Sequence, residues 1–460
     1  MRTERAEQPA QASLPNMRIV QITPGAGAMY CGNCFRDNAL VGALRRLGHD
    51  VTMLPLYLPL RLDEDDQSAD APVFFSGINV YLDQKSAWFR RAPRWLHRLL
   101  ASRRLLARLG ARAAKTRPAD TGDMLLSMLR GEEGAQAREL DELIEWLQGH
   151  GPPDVVCLSN ALLLGLARRL KTDLGAGVAC ALQGEDTFLD ALPEAYREPA
   201  WRLIAERAAD VDVFIAPSRY FGDSMAARLG LPAGRVRVVY NGINLDGFER
   251  RKPRPPVETH RAPVLGFFAR MCPDKGLDVL VDAYIELKRR GRVPRLKLHV
   301  GGSCGPGDEP FVREMRRRLA QAGFVGEVNF SPNVSRAEKI EFLRALTVFS
   351  VPARYAEAFG LYVIEALAAG VPVVQPRRGA FPELVEATGG GLLCEPDDPT
   401  ALADAIESLL LNPERAAALG QTGQQAVFEK FSAEAMARET VRVLEEVLNL
   451  ETAGAARQHG

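Results

Sequence analysis

Three things are scarce in this 460-residue sequence: cysteine, net charge and long apolar runs. Its seven cysteines are scattered and odd in number, which fits reduced thiols and excludes the disulfide framework of a small secreted domain. Lys+Arg and Asp+Glu balance at 58 each, so the whole-molecule field carries no footprint for nucleic acid. No window holds eighteen uninterrupted apolar residues, and the opening MRTERAEQPAQASLPN has no apolar core of signal-peptide length. Neither a membrane-spanning helix nor a secretory signal is therefore expected, and the cytoplasm is the expected location. With 47% hydrophobic and 25% charged residues, what is present suffices for two well-packed domains.

From Met17 onward an apolar strand (MRIVQIT), a Gly-rich loop (PGAGAMYCGN) and a helix (CFRDNALVGALRRLGHD) lead into a second strand, VTMLPLY. The alternation returns at DVVCLSN, GVACALQ, DVFIAPS and RVRVVYN, which predicts a parallel sheet with helical crossovers on both faces. Residues 58–149 break the rhythm and read as a mostly helical insertion in an N-terminal domain spanning 17–248. RRKPRPPVETHRAP then forms a proline-rich linker over 249–263. Strands VLGFFAR, LKLHVGG, EVNFSP, VFSVPA and PVVQP alternate with helices over 264–431. The fold class is thus α/β, two Rossmann-like doubly wound domains facing a cleft. A helix over 432–450 follows, and residues 1–16 and 451–460 read as tails.

In YAEAFGLYVIEALAAGVP, Glu357 and Glu365 are separated by seven residues. A helix starting near Phe359 or Gly360 leaves Glu357 in the preceding loop and Glu365 on the second turn. The amides of Phe359, Gly360 and Leu361 then face the cleft, where helix N-termini favour a diphosphate. A capped helix with two solvated acids is the bland alternative. Arg270 and Lys275, in ARMCPDKG after the strand VLGFFA, stand at the carboxyl end of the same sheet, where two cations clamp and stabilise a leaving pyrophosphate.

These segments, GFFARMCPDKGLDVLVDAY, VPARYAEAFGLYVIEALAAGVPVV and VVYNGINLDGF, resemble the retaining glycosyltransferases of the GT-B fold with the Glu-seven-Glu signature, over most of 17–57 and 151–445. The resemblance implies that Glu357 binds donor-sugar hydroxyls, that Glu365 binds the ribose, and that Arg270 and Lys275 clamp the phosphates. It also implies that Gly379 and Glu383 line the same pocket, that Gly25 and Gly27 belong to a Gly-rich loop facing the diphosphate, and that the last helix crosses back to the N-terminal domain. Many members carry His where Gln183 stands here; Gln can exchange hydrogen bonds but cannot titrate.

Glu185 and Asp186, in the loop after GVACALQ, are candidates for contacting the sugar or positioning the acceptor hydroxyl, alongside Gln183. A polar loop with an N-cap explains them equally well. Tyr30 occupies the third position of G-x-G-x-x-G, which disfavours a dehydrogenase. Cys31-Gly-Asn-Cys34 has no second cysteine pair, so no metal site is assigned, and Asp210-Val-Asp212 falls in a helix-to-strand turn. Residues 84–119 hold eleven Lys/Arg, no Asp/Glu, and Trp88, Phe89 and Trp95. They form either a helix packed by its Leu/Trp face or a peripheral contact with an anionic membrane through Arg90, Arg91, Arg94 and Arg98.

The expected reaction is metal-independent and without a cofactor: transfer of a sugar from a UDP- or GDP-sugar to a hydroxyl of a glycan, lipid-linked or small-molecule acceptor, with retention of configuration. A nucleotide-sugar epimerase or hydrolase of the same fold, and a catalytically silent sugar-nucleotide-binding partner, are the alternatives.

Overall fold

The computed structural model describes residues 16–25, 32–60, 62, 64–68, 71–75, 118–249 and 262–458. The first six strands, β1 (Arg18–Thr23), β2 (Asp50–Pro55), β3 (Val155–Leu158), β4 (Gly177–Ala181), β5 (Val213–Ala216) and β6 (Val236–Val238), form one sheet in the order β2-β1-β3-β4-β5-β6. Every pairing in it is parallel, with Ile19 opposite both Val51 and Val155. VVCL, GVACA and VFIA are buried along their whole length, as befits central strands covered on both faces, whereas edge strand β6 is partly exposed. Helices α1 (Gly32–Arg46), α2 (Pro118–Arg130), α3 (Ala137–Gly149), α4 (Ala167–Leu174), α5 (Glu185–Asp190), α6 (Glu194–Arg207) and α7 (Arg219–Leu229) accompany this sheet. Of the 58–149 insertion, α2 and α3 pack into the N-terminal core through Leu125, Leu129, Leu143 and Leu147, and most of the basic 84–119 stretch lies outside the described residues.

Strands β7 (Val264–Phe268), β8 (Lys297–Gly302), β9 (Val328–Pro332), β10 (Val348–Phe349), β11 (Val373–Pro376) and β12 (Gly391–Cys394) form the second parallel sheet, in the order β12-β11-β10-β7-β8-β9. It is accompanied by α8 (Leu277–Arg290), α9 (Glu309–Gln321), α10 (Arg336–Arg344), α11 (Leu361–Ala368), α12 (Phe381–Thr388), α13 (Pro399–Leu410) and α14 (Pro413–Lys430). Its strand order reverses between β10 and β7, and such a switch point leaves a crevice beyond the strands' carboxyl ends. Those two adjacent ends lead into the segments carrying Arg270 and Lys275 on one side and Glu357 on the other.

The last helix, α15 (Ala433–Gln458), returns to the N-terminal sheet. Its Met436, Val441, Leu444 and Val447 share a core with Ile19, Leu40, Val51, Val155 and Val213. Burial of each such side chain contributes about 1.5–3 kcal/mol, so this helix holds the halves together as firmly as a core element does. A second tie lies beside the cleft. Glu383, in the first turn of α12, is buried, and its carboxylate accepts hydrogen bonds from Arg219 N (2.9 Å), Tyr220 N (3.1 Å) and the Tyr240 hydroxyl (2.9 Å). A carboxylate of the second domain thereby caps α7 of the first, next to Ser218, whose own Oγ donates to Ala358 O at 2.7 Å.

Candidate active site

After β7 the chain turns through Arg270 and a short 3-10 turn, Pro273–Lys275, into α8. Gly276 follows at φ +70°, and a Cβ there would stand 1.9 Å from Pro352 O, so only glycine lets this turn press on the loop leaving β10. That approach carries Lys275 to Glu357. The Lys275 ammonium donates to the Glu357 carboxylate and to the Tyr355 hydroxyl oxygen. The same Glu357 Oε1 accepts from the hydroxyls of Tyr355 (2.9 Å) and Tyr362 (2.7 Å). Both phenols are pushed above the usual tyrosine range, first by burial and then by the Glu357 charge, so both remain donors. Lys275 Nζ also lies 4.8 and 5.2 Å from the two ring centroids. From the far side, Gly379 (φ +59°) brings the α12 segment so close that a Cβ would sit 2.5 Å from Glu357 N. Glu357 is thus fixed on every side.

A cavity of about 340 Å³ opens in front of Lys275, with Arg270, Leu361, Tyr362 and Glu365 in its walls. Leu361 and Tyr362 begin α11, and first-turn amides have no intrahelical carbonyl to meet. Arg270 is 61% exposed; its Nε (3.1 Å) and Nη2 (3.0 Å) both reach the buried carboxylate of Asp308, which orients the guanidinium. Glu365 pairs with Lys339 at 2.9 Å. From the other wall come Gly32, Arg36 and Glu64, the last bridging to Arg336 at 2.8 Å. Among the described residues, five basic and two acidic side chains line the cavity, a surplus suited to an anionic ligand.

Arg270, Lys275, Leu361 and Glu365 thus surround one cavity, with Glu357 directly behind Lys275. Several other candidate side chains are absent from that cavity's wall. Phe359 is a core residue beside Tyr240 and Phe431, and Gly360 (φ +102°) abuts Phe381. Gly25 is absent from the cavity wall; its φ of +74° answers a contact with Leu58 O, which a Cβ would approach to 1.9 Å. Gly27 and Cys31 lie outside the described residues, and the Cys34 side chain is buried. Glu383 serves the domain junction rather than the cavity wall. Asp212 is taken up by Lys171 and Val178 N, and Asp210 by Arg168 and Arg207.

On the N-terminal side, Glu185 is buried, and its two oxygens accept from Ala161 N (3.0 Å) and Gln183 N (2.6 Å). Burial raises its pKa, and those amides work against the rise. It braces the loop after β4 instead of presenting a free base. Asp186, in the first turn of α5, is likewise outside the cavity lining, its pKa raised by burial. Gln183 pairs amide to amide with Asn241: Asn241 Nδ2 donates to Gln183 Oε1 at 3.1 Å and Gln183 Nε2 returns a bond at 3.5 Å. A two-way exchange of this kind needs a side chain that both donates and accepts at its end, which a carboxamide supplies. Tyr355, Tyr362, Asp308, Lys339, Arg336 and Arg36 complete the site without having stood out in the sequence. Only the two tyrosines had a local signal, flanking Glu357 in YAEAFGLY.

Two doubly wound sheets with a basic, helix-capped cavity beside the switch point define a GT-B glycosyltransferase architecture. The match to solved structures covers nearly the whole chain. A sucrose-phosphate synthase from Thermosynechococcus elongatus superposes with TM-score 0.67 at 20% identity, over 95% of this chain and all of that one. The Anabaena HepE protein in complex with UDP does so with TM-score 0.64 at 16% identity, over 94% of this chain and all of that one. The model for glycosyl transferases group 1 matches residues 249–426, and that for glycosyltransferase family 4 matches 125–246. A GDP-mannose-dependent alpha-(1-6)-phosphatidylinositol monomannoside mannosyltransferase of Mycolicibacterium smegmatis is 31% identical over 283 residues, 59% of this chain and 70% of that protein. A D-inositol 3-phosphate glycosyltransferase of Catenulispora acidiphila is 34% identical over 235 residues, 49% of this chain and 54% of that protein. The chain belongs to the group 1 glycosyltransferases. Among the described residues, no helix is long and apolar enough to cross a membrane.

Proposed function

We propose that this glycosyltransferase takes a sugar from a UDP- or GDP-sugar and passes it to an acceptor hydroxyl with retention of configuration. The observation that carries the reading is that Lys275, in the cavity wall beside Arg270 and the first turn of α11, is held from behind by Glu357. In the proposed ground state Glu357 holds Lys275 in place through a charged hydrogen bond. When the diphosphate arrives, Lys275 and Arg270 meet its oxygens, and their fixed positions stabilise the negative charge that grows as the leaving group departs. Glu357, held by two phenols and the ammonium, orients the sugar through its remaining oxygen, and Glu365 with Lys339 borders the ribose.

Among the described residues no carboxylate is placed as a free nucleophile: Oε1 of Glu357 is engaged by three donors, Glu365 pairs with Lys339, and Glu185 binds two backbone amides. Front-face substitution follows: the bond from the anomeric carbon to the phosphate oxygen breaks, the acceptor oxygen bonds to that carbon on the same face, and the acceptor proton passes to the departing phosphate. The lysine and arginine neutralise the leaving group in this scheme, so it needs neither metal nor cofactor. The acceptors named for the relatives, a phosphatidylinositol mannoside and an inositol phosphate, point toward a phosphorylated polyol or its lipid. Such an acceptor also gives the basic 84–119 stretch a purpose at an anionic membrane surface.

Purified protein given a nucleotide-sugar panel should release nucleoside diphosphate in step with added acceptor, and proton NMR of the product should show the donor's anomeric configuration. Release at the same rate with no acceptor would identify a hydrolase or epimerase, and an inverted product would overturn the front-face mechanism.

A further inference from the structure

Arg36 stands on the second turn of α1, with a side chain only 2% exposed, yet it lines the cleft cavity on the wall opposite Lys275. Its Nε donates to Asn241 Oδ1 at 3.3 Å and its Nη1 to Asp37 Oδ1 at 2.9 Å. Nη2 donates to none of the described residues. A guanidinium buried this deeply is costly unless its charge and all its donors are answered. Asp37 answers only in part. Burial raises its pKa, and the Arg36 charge and the Ser159 and Thr23 hydroxyls only oppose the rise.

Other cations around the cavity have carboxylates of their own: Arg270 has Asp308, Lys275 has Glu357, Lys339 has Glu365 and Arg336 has Glu64. Arg270 and Lys275, with the start of α11, already suffice for the donor diphosphate. The start of α1 faces the start of α11 across the cleft, since a Cβ on Gly32 would lie 3.8 Å from Leu361 Cδ1. An anion between Arg36 and the first turn of α1 would therefore sit across from the leaving group, on the wall belonging to the first domain.

Building on the donor-site reading above, we propose that Arg36 binds a phosphate carried by the acceptor, so that the natural acceptor is a phosphate ester. Asn241, itself held by Gln183, sets the angle of the guanidinium. The Gln183–Asn241 pair thereby acts as a positioning element for this second anion site.

The test uses the full chain saturated with whichever nucleoside diphosphate it binds, titrated with inorganic phosphate and with myo-inositol 1-phosphate, by calorimetry and thermal shift. The diphosphate-loaded wild type should bind the ester. Arg36→Gln should weaken that binding by about tenfold or more, as expected for loss of a charge-assisted bond, and leave diphosphate affinity within about twofold. Arg36→Lys should recover part of it, and R36Q/D37N keeps the test open if Arg36→Gln folds poorly. Failure of the loaded wild type to bind either probe would overturn the proposal, as would unchanged ester binding by Arg36→Gln. Equal loss of diphosphate binding would also overturn it, by assigning Arg36 to the donor. A wild type that binds no nucleoside diphosphate at all would instead defeat the donor-site reading.

Discussion

Replacing Glu383 by alanine should loosen the junction beside the cleft without touching the cavity. Its carboxylate accepts from two main-chain amides and one phenol of the other domain, and it is 8% exposed, so water cannot readily take its place. Leaving a buried donor unanswered costs about 1–3 kcal/mol, and helix N-terminal amides at a lost cap sit at the low end, about 1 kcal/mol each. Allowing for some entry of water into the space vacated, the net cost is about 2–4 kcal/mol, concentrated at the start of α7. Hydrogen exchange measures it directly. The amides of Arg219 and Tyr220 should exchange about 30-fold faster or more in Glu383→Ala, since each 1.4 kcal/mol of local opening is a factor of ten. Amides in the centre of β4 should change far less. Glu383→Gln keeps one carbonyl acceptor and should fall between. Unchanged exchange at both positions in Glu383→Ala would refute the latch.

Three further outcomes follow from the same geometry. Tyr362→Phe removes one of the donors holding Glu357 and should lower kcat about three- to tenfold, equivalent to one net hydrogen bond, with little change in thermal stability; an unchanged kcat would mean that Glu357 needs no such support. Asp308→Asn should raise the donor KM several-fold by releasing Arg270, and this effect should shrink when Arg270 is already alanine, as a double-mutant cycle would register. Tyr240 has its pKa pushed from 10.0 up to about 12, by burial first and then by its bond to Glu383. Because the folded value is the higher one, its contribution to stability is complete below pH 10 and disappears as pH rises toward about 12. Urea unfolding at stepped pH should show that loss in the wild type and a smaller loss in Tyr240→Phe.

The doubly wound architecture was legible because buried parallel strands write themselves as short apolar runs, as in VVCL, GVACA and VFIA. Less was visible where tertiary context decides. Only Val348–Phe349 of VFSVPA pairs as strand, and edge strand β12, GLLC, carries neither alternation nor a turn signature strong enough to announce it. The site divides the same way. Arg270, Lys275, Glu357 and Glu365 sit in contiguous segments at strand ends, so their spacing reports their place. Arg36 meets Asn241 across 205 residues of chain, and Glu383 meets Arg219 across 164. No local pattern encodes either meeting. Glu185 left two readings open for a related reason: an acidic residue opening a helix reads alike whether it faces a substrate or, as here, binds the amides of its own loop and of Ala161.

The central claim is that the cavity bounded by Lys275 and Glu365 holds the donor nucleotide. It is tested most directly by thermal stabilisation with UDP, GDP and their sugars, comparing wild type with Lys275→Ala and Glu365→Ala. Selective binding at 100 times Kd adds about 2.7 kcal/mol, enough for a clear rise in Tm. A rise with one nucleotide family in the wild type, sharply reduced in both variants, is the predicted result. No rise with any nucleotide in well-folded wild type, or an equal rise in all three proteins, would contradict the assignment.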